Sequence, residues 1–403
     1  MPEQFLHGVE VVELDSGPRP IQTVKSSVIG LVGTAPDADA SAFPVNTPVL
    51  IAGNRTEAAK LDTTGNGEGT LPAAIDGIFD QTGAAVVVIR VDEGDTDAVT
   101  QTNMVGGTDA TTGQYTGVHA LLGAKSALGL SPRILIAPGH THQRASDPDS
   151  GVGGKLKNPV VAELEGIADK LRAVVIVDGP NTTDAEAQAA ISDFGTARIY
   201  MVDPWVKVFR GGAYADEAPS SRVAGLIARI DNDKGFWWSP SNQQIYGIAG
   251  TSRGVDFALG SSNCRANLLN EKNIATIINE EGYRLWGNRT ACSDKKWAFL
   301  SVRRTADMIN ESILRAHLWA VDRNISKNYM EAVVESVNAY LRHLTAIGAV
   351  LGGSCWADPE LNTKDQIAKG NVFFDFDFTP PAPAEHVTFR SHLVNDYLEE
   401  VLK

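Results

Sequence analysis

Residues Ala85 to Val91, AVVVIRV, carry apolar side chains at adjacent rather than alternate positions, so a strand made from them is buried on both faces. Helices lying above and below a parallel sheet supply that environment, through βαβ units. The surrounding sequence has the required rhythm. SSVIGLVGTAP (Ser26 to Pro36) is an apolar run closed by turn residues, and LPAAIDGIFDQTG (Leu71 to Gly83) reads as a helix leading into AVVVIRV. RILIAPG (Arg133 to Gly139) precedes a helix over Pro159 to Leu171, and RAVVIVDGP (Arg172 to Pro180) precedes one over Thr183 to Phe194. RIYMVDPWVKV (Arg198 to Val208) precedes a third, over Ser220 to Ile230. Strands alternating with helices in this way predict an α/β domain. Residues 94–122, rich in Thr, Gly and Asp, are expected to be a loop-rich insert with little regular structure.

Beyond Gly254 the character changes. A helix is expected from Arg303 to Ile325, and a second from Lys327 to Leu344, where Met330, Val333, Val334, Val337, Tyr340, Leu341 and Leu344 recur at helical spacing. NVFFDFDFTPPAP (Asn371 to Pro383) reads as a strand stopped by prolines, with Phe374, Phe376 and Phe378 on one face and Asp375 and Asp377 on the other. Both chain ends resemble detached strands: Val9, Val11 and Leu14 alternate with acids ahead of SGPRP, and AEHVTFRSHLVNDYLEEVLK follows a proline-rich stretch. The expected fold is therefore α/β plus α+β: a parallel-sheet α/β domain over 26–250, a C-terminal α+β assembly domain over 251–385, and extended N- and C-terminal strand arms over 1–25 and 386–403. KGFWWSPSN (Lys234 to Asn242) lies at the change of character. Adjacent Trp237 and Trp238 would face opposite ways on a strand and cannot make one flat ligand platform, so the run is expected to be a structural joint.

A formal charge of −14 and a pI near 5.0 argue against a nucleic-acid binder, which needs a basic footprint. The charge is uneven. Residues 1–120 hold 5 Lys or Arg against 16 Asp or Glu, whereas residues 281–345 hold 10 against 7. Solvated faces account for such a bias; a sharper reading is that the two regions meet differently charged surroundings. Cys264, Cys292 and Cys355 are odd in number and far apart, as expected of reduced thiols in a protein made in the cytoplasm. The start, MPEQFLHGVEVVELD, has neither a basic region nor a long apolar run, so no signal peptide and no membrane insertion are expected.

Residues after strand ends in α/β sheets frequently carry chemistry. His140 and His142 in APGHTH, Asp178 in IVDGP and Asp203 in MVDPW could together hold a divalent metal and activate water for hydrolysis. Aspartate before Gly or Pro at a strand end is also an ordinary turn former. GVHALLGAKS (Gly117 to Ser126) departs from a phosphate-binding loop in its spacing and in the Ala before Lys125. GNGEG (Gly65 to Gly69) is not a dinucleotide fingerprint, and no G-x-S-x-G occurs. No cofactor is expected.

Four blocks carry a family resemblance. FWWSPSNQQIYGIAG, ANLLNEKNIATIINEEGYRLWGNRT (Ala266 to Thr290), WAFLSVRRTADMINESI (Trp297 to Ile313) and LNTKDQIAKGNVFFDFDFTPPAPAEHVTF (Leu361 to Phe389) resemble, in order and spacing, the tail sheath proteins of contractile-tailed phages and R-type pyocins. VGGTDATTGQYTGVHAL (Val105 to Leu121) and RILIAPG extend the likeness more loosely. The resemblance implies a structural protein and no enzyme. Its subunits would stack as six-membered rings in a helical cylinder around a tail tube, and contract to drive the tube through a bacterial envelope. It further implies arms that add strands to neighbouring subunits, here through Val9, Val11, Leu14, Val387, Phe389 and Leu393. The implied partners are other copies, the tube protein, and baseplate and tail terminator proteins, in a virion tail or tailocin particle assembled in the bacterial cytoplasm. If the C-terminal region lines the cylinder, Lys295, Lys296, Arg303, Arg304, Arg315 and Arg323 are candidates to face an acidic tube; internal clamping of loops and carboxylates is the competing role for these arginines. The rival functions are the metal-dependent hydrolase and a non-contractile adhesin or shell subunit.

Overall fold

The computed structural model of the chain describes residues 21–149 and 154–398. Its strands, in chain order, begin with β1 (Ile29–Thr34), β2 (Pro48–Ala52), β3 (Ala85–Val91), the short pair β4 (Gly107–Thr108) and β5 (Tyr115–Thr116), β6 (Ile134–Ile136), β7 (Val174–Asp178) and β8 (Ile199–Val202). They continue with β9 (Val206–Arg210), β10 (Ala213–Glu217), β11 (Gln243–Gln244), β12 (Gly250–Thr251), β13 (Ile274–Asn279), β14 (Tyr283–Trp286), β15 (Gly353–Ala357) and β16 (Phe374–Phe378). The helices are α1 (Arg55–Ala58), α2 (Leu71–Phe79), α3 (Asp97–Val105), α4 (Ala124–Leu128), α5 (Pro159–Leu171), α6 (Asp184–Ser192), α7 (Ser220–Asp233), α8 (Arg265–Glu271), α9 (Leu300–Ala316), α10 (Lys327–Ala346) and α11 (Lys364–Ala368).

The doubly apolar strand has the surroundings its composition requires. β3 belongs to a nine-stranded sheet of order β11-β14-β13-β8-β7-β6-β1-β3-β2, parallel from β13 to β3, with antiparallel pairings at both margins. Val86 and Val88 point into a core shared with Ile75 and Ile78 of α2 and with Leu226 and Ile227 of α7. Val87 and Ile89 point into a second core with Leu164 and Ile167 of α5. Helix α5 starts where its sequence dictates: Asn158 accepts the N–H of Val161, and Pro159 fills the first position, where a missing N–H is harmless.

Three regions differ from expectation. Residues 94–122 are ordered structure rather than a loose excursion: Thr96 caps α3, and Met104, Val118 and Leu121 are fully buried in the second core. Their widely spaced apolar residues, set among Thr and Gly, gave no periodic signal. The sheet also runs past residue 250, because β13 pairs with β8 in parallel and with β14 in antiparallel, so segment 251–385 contributes strands to the same sheet. The helix expected to reach Ile325 ends at Ala316, and the chain turns through a short 3-10 turn and Asp322 at φ +60°.

A third core joins the C-terminal elements. Ile309 of α9, Val337, Leu341 and Leu344 of α10, and Cys355 of β15 are buried together, with Phe374, Phe376 and Phe378 of β16 packed against them. Phe236 enters this core from the turn after α7, and Trp237 meets it edge-on at 5.1 Å. Trp238 instead is exposed beneath the Lys234 ammonium. The aromatic run thus ties the end of α7 to the C-terminal core. Among the described residues no helix is long and apolar enough to cross a membrane.

Candidate assembly site

The strand-end residues that suggested a metal are each committed to a structural duty. Asp178, fully buried at the end of β7, accepts the Ser220 N–H at 2.8 Å, the Ser220 hydroxyl at 2.9 Å and the Thr141 hydroxyl at 3.1 Å, and so anchors the start of α7. Burial raises its pKa to about 6 against the pull of those hydrogen bonds. Asp203 accepts the Asn181 N–H at 2.9 Å and pairs with Arg253. His142 packs edge-on against Trp205 at 4.9 Å. Burial lowers the pKa of both imidazoles, that of His140 to about 4. Among the described residues no group of three or more His, Cys, Asp or Glu side chains is placed to hold a metal ion.

A different site emerges at the C-terminal sheet. β15 and β16 form a two-stranded antiparallel sheet that lays one face on the third core. Asn338 of α10 donates its side-chain N–H to the Cys355 carbonyl at 2.9 Å and accepts the Cys355 N–H at 2.8 Å. Both backbone groups of Cys355 therefore point away from β16, which makes Cys355 and Phe376 a non-hydrogen-bonded pair in the antiparallel alternation. By the same alternation the N–H and C=O of Phe376 face outward, on the margin of β16 where no further strand is paired among the described residues. One edge of this sheet is closed by a side chain and the other is open. An open edge is a template for an added strand.

Residues 380–394, which leave β16, adopt no regular structure. A bidentate pair from Arg289 to Glu385, at 2.7 and 2.6 Å, holds their start. Past it the expected arm residues have no apolar cover: Val387 is 63%, Phe389 93% and Leu393 100% exposed. Val9, Val11 and Leu14 lie outside the described residues.

The six candidate cations separate into two kinds. Arg304 is buried, donating to both oxygens of Asp231 at 2.8 and 2.6 Å, and serves as an internal clamp between α9 and α7. Arg303 pairs with Asp307 and stacks 4.4 Å over Trp297. Arg315 donates to Glu311 at 2.7 Å and to the Ser131 hydroxyl. Lys295, Lys296 and Arg323 remain exposed, Arg323 lying over Trp319 at 5.1 Å.

The charge pattern of α9 carries a signal of its own. Arg303, Asp307, Glu311 and Arg315 recur every four residues and so line one face of α9. On that face Arg198, just before β8, reaches Asp307, while Arg133 and Arg172 reach Glu311. Burial pushes the Glu311 carboxyl up, but Arg133 and Arg315 more than offset it and hold the pKa below its ordinary value. The stripe fastens α9 to the parallel sheet.

Comparison with known proteins gives a consistent picture. The family model for the phage tail sheath protein central domain matches residues 113–291, that for the phage tail sheath C-terminal domain matches 292–393, and that for the tail sheath protein Gp18 domain III N-terminal region matches 26–91. A prophage major tail sheath protein of Pseudomonas aeruginosa (strain UCBPP-PA14) is 44% identical over 401 residues, covering 99% of both chains. The tail sheath protein of Escherichia phage P2 is 34% identical over 411 residues, covering 99% of this chain and 98% of its own. Among solved structures, the contracted helical sheath of the anti-feeding prophage superposes with a TM-score of 0.71 at 20% identity, covering 98% of this chain and 100% of that one. The contracted PVC sheath complex, an extracellular contractile injection system, superposes at 0.70 and 18%, covering 99% and 100%. At those identities the superpositions speak to the fold alone.

Proposed function

The chain belongs to the phage tail sheath family and is a contractile tail sheath subunit, and from that premise we propose that its copies are joined through the open edge of β16. Each subunit lends extended segments to the β15–β16 sheets of its neighbours, from the N-terminal arm over 1–25, whose root at Ile21 and Val24 packs on its own third core, and from the C-terminal arm over 386–403. Main-chain hydrogen bonds supply affinity in such strand addition, and alternate side chains supply register. Val387 and Phe389 have the period of two that this requires, and the outward N–H and C=O of Phe376 supply the complementary edge. That edge is the observation on which the proposal rests.

Repeated head-to-tail contacts whose rotation does not close build a filament. The product here is a helical cylinder of stacked six-membered rings around a tail tube, attached to a baseplate and closed by a terminator. It is part of a virion tail or tailocin particle assembled in the bacterial cytoplasm, and its contraction drives the tube through the envelope. Lys295, Lys296 and Arg323 are the cations available to an acidic tube, since Arg304 is committed to Asp231. Contacts of that exposed kind are worth about 0–1 kcal/mol each, which suits a tube that must slide free.

Negative-stain electron microscopy of the full chain, beside chains lacking residues 1–20 or 386–403, tests the linkage. Ordered cylinders from the full chain and short or absent ones from both truncations are expected. Long ordered cylinders from either truncated chain would remove the arm from its linking role.

A further inference from the structure

The C-terminal arm carries two different spacings of apolar residues. Val387 and Phe389 alternate, as a strand requires, whereas Leu393, Val394, Tyr397 and Leu398 fall at i, i+1, i+4 and i+5, which places them on one side of a helix. The backbone becomes helical only in the second half of that set, after Leu393 and Val394. Leu398 donates its N–H to the Asn395 carbonyl at 3.0 Å and closes a helical turn, while residues 380–394 are extended or irregular. All four side chains of the second set are exposed, Leu393 completely and Tyr397 by 73%. A strand edge cannot use this set, because residues at i and i+1 of a strand point to opposite faces.

A groove elsewhere on the molecule has matching chemistry. A cavity of about 870 Å³ opens between the segment before β1, the turn after α4 and the end of α9. That lies within the range of about 300–1,000 Å³ for clefts that take ligand-sized groups. Val24, Leu130, Leu318 and Trp319 give it apolar walls, and Leu318 stands 78% exposed at its lip. The polar part of the lining is basic. Lys25, Arg133 and Arg315 line it and, among the described residues, no Asp or Glu does; behind it Arg133, Arg172 and Arg315 share the carboxylate of Glu311. Arg133 is buried, and its Nε has no hydrogen-bond partner among the described residues. The end of the arm is acidic on balance: Asp396 lies inside the helical turn and Glu399 and Glu400 follow in sequence, against Lys403 beyond them and Arg390 before.

We propose that the end of the C-terminal arm docks as an amphipathic helical turn into this groove of a second copy, with Leu393, Tyr397 and Leu398 against Leu130, Leu318 and Trp319, and Asp396 toward Lys25 and Arg315. The inference deepens the strand-addition reading and rests on it: one arm makes two successive contacts, a strand that sets register and a helical plug beyond it. Two linked contacts raise the effective concentration of each, so the plug strengthens the lattice without lengthening the sheet.

Site-directed disulfide trapping in assembled cylinders tests the plug, using full chains mixed from isotopically labelled and unlabelled subunits. Tyr397→Cys combined with Leu318→Cys is expected to give cross-linked peptides joining one labelled and one unlabelled chain. Tyr397→Cys with Phe376→Cys reports the strand edge instead, and Val11→Cys with Leu318→Cys reports the N-terminal arm in the groove. Cross-links dominated by either of these pairs, or confined within single chains, overturn the plug while the sheath reading stands on the cylinders themselves. Should the first pair fail to assemble, the charge swap decides: Asp396→Lys and Lys25→Glu, the latter at an exposed groove residue, should each lower the salt concentration at which cylinders fall apart, and the double variant should restore it. No restoration overturns the proposal.

Discussion

Asn338 of α10 covers the outer edge of β15 by bonding both the N–H and the C=O of Cys355, at 2.8 and 2.9 Å. A side-chain amide has one donor and one acceptor group at the separation that a neighbouring strand would present. The helix thereby closes one margin of a two-stranded sheet, while the other pairs with no strand among the described residues.

Replacing Asn338 with Ala leaves the buried Cys355 N–H and C=O without partners. The expected loss is about 1–3 kcal/mol of stability, read as a lower midpoint in chemical denaturation. An unchanged midpoint would show that Asn338 does not close this edge.

Breaking the Arg304–Asp231 pair from one side should be severe, because each group is buried in the folded chain. Arg304→Met is expected to lower stability by about 3–5 kcal/mol, and Arg304→Met with Asp231→Leu by clearly less, since no charge is then stranded. If Arg304→Met instead left denaturation unchanged and weakened only tube binding, the internal clamp would be wrong.

Glu311→Gln removes the carboxylate on which Arg133, Arg172 and Arg315 converge, with an expected loss of about 3 kcal/mol at neutral pH. Because the folded pKa lies below the ordinary 4.5, the carboxylate's contribution is fully present above pH 4.5 and is lost as pH falls through the folded value. Melting curves of the wild type and the variant should therefore converge on acidification; parallel curves would count against the ion cluster.

His140 offers a second acid-side test with its own window. Burial, helped by neighbouring His142, lowers its pKa from 6.5 to about 4, so the unfolded chain takes up a proton before the folded one does. The stability gained by keeping it neutral is complete above pH 6.5 and declines as pH falls toward 4. His140→Gln should flatten the fall of Tm between those values; equal slopes in both proteins would refute the assignment.

Charge reversal at Lys295, Lys296 and Arg323 together should weaken co-assembly with tube at low salt and flatten or invert its salt dependence, while leaving Tm within about a degree or two, since exposed groups contribute little to folding. Reversal at Arg315 would confound the test, because that side chain also supports Glu311 and Ser131. Unchanged salt sensitivity would move the tube contact elsewhere.

Much of the architecture was legible because it depends on neighbours in sequence. AVVVIRV announces burial on both faces within seven residues, and Pro159 with Asn158 announces where α5 begins. The alternation of Phe and Asp over residues 374–378 likewise fixes which face of β16 meets the core. β15 stayed hidden because GSCWA has little β-propensity and is held by Asn338, a residue outside the strand. The insert helix α3 stayed hidden because its apolar residues are few and its burial is conferred by α5.

The sequence by itself determined the doubly covered parallel sheet, the C-terminal helices and a chain whose ends have apolar patterns with no local partner, since periodicity is written in residues a few positions apart. Only the tertiary structure decided which arginines are committed inside the fold and which edge of the C-terminal sheet stays open. Arg304 meets Asp231 across 73 positions and Arg198 meets Asp307 across 109. Those meetings exist only once α9 has packed against the sheet, so no local pattern could distinguish a buried clamp from a charge left in water.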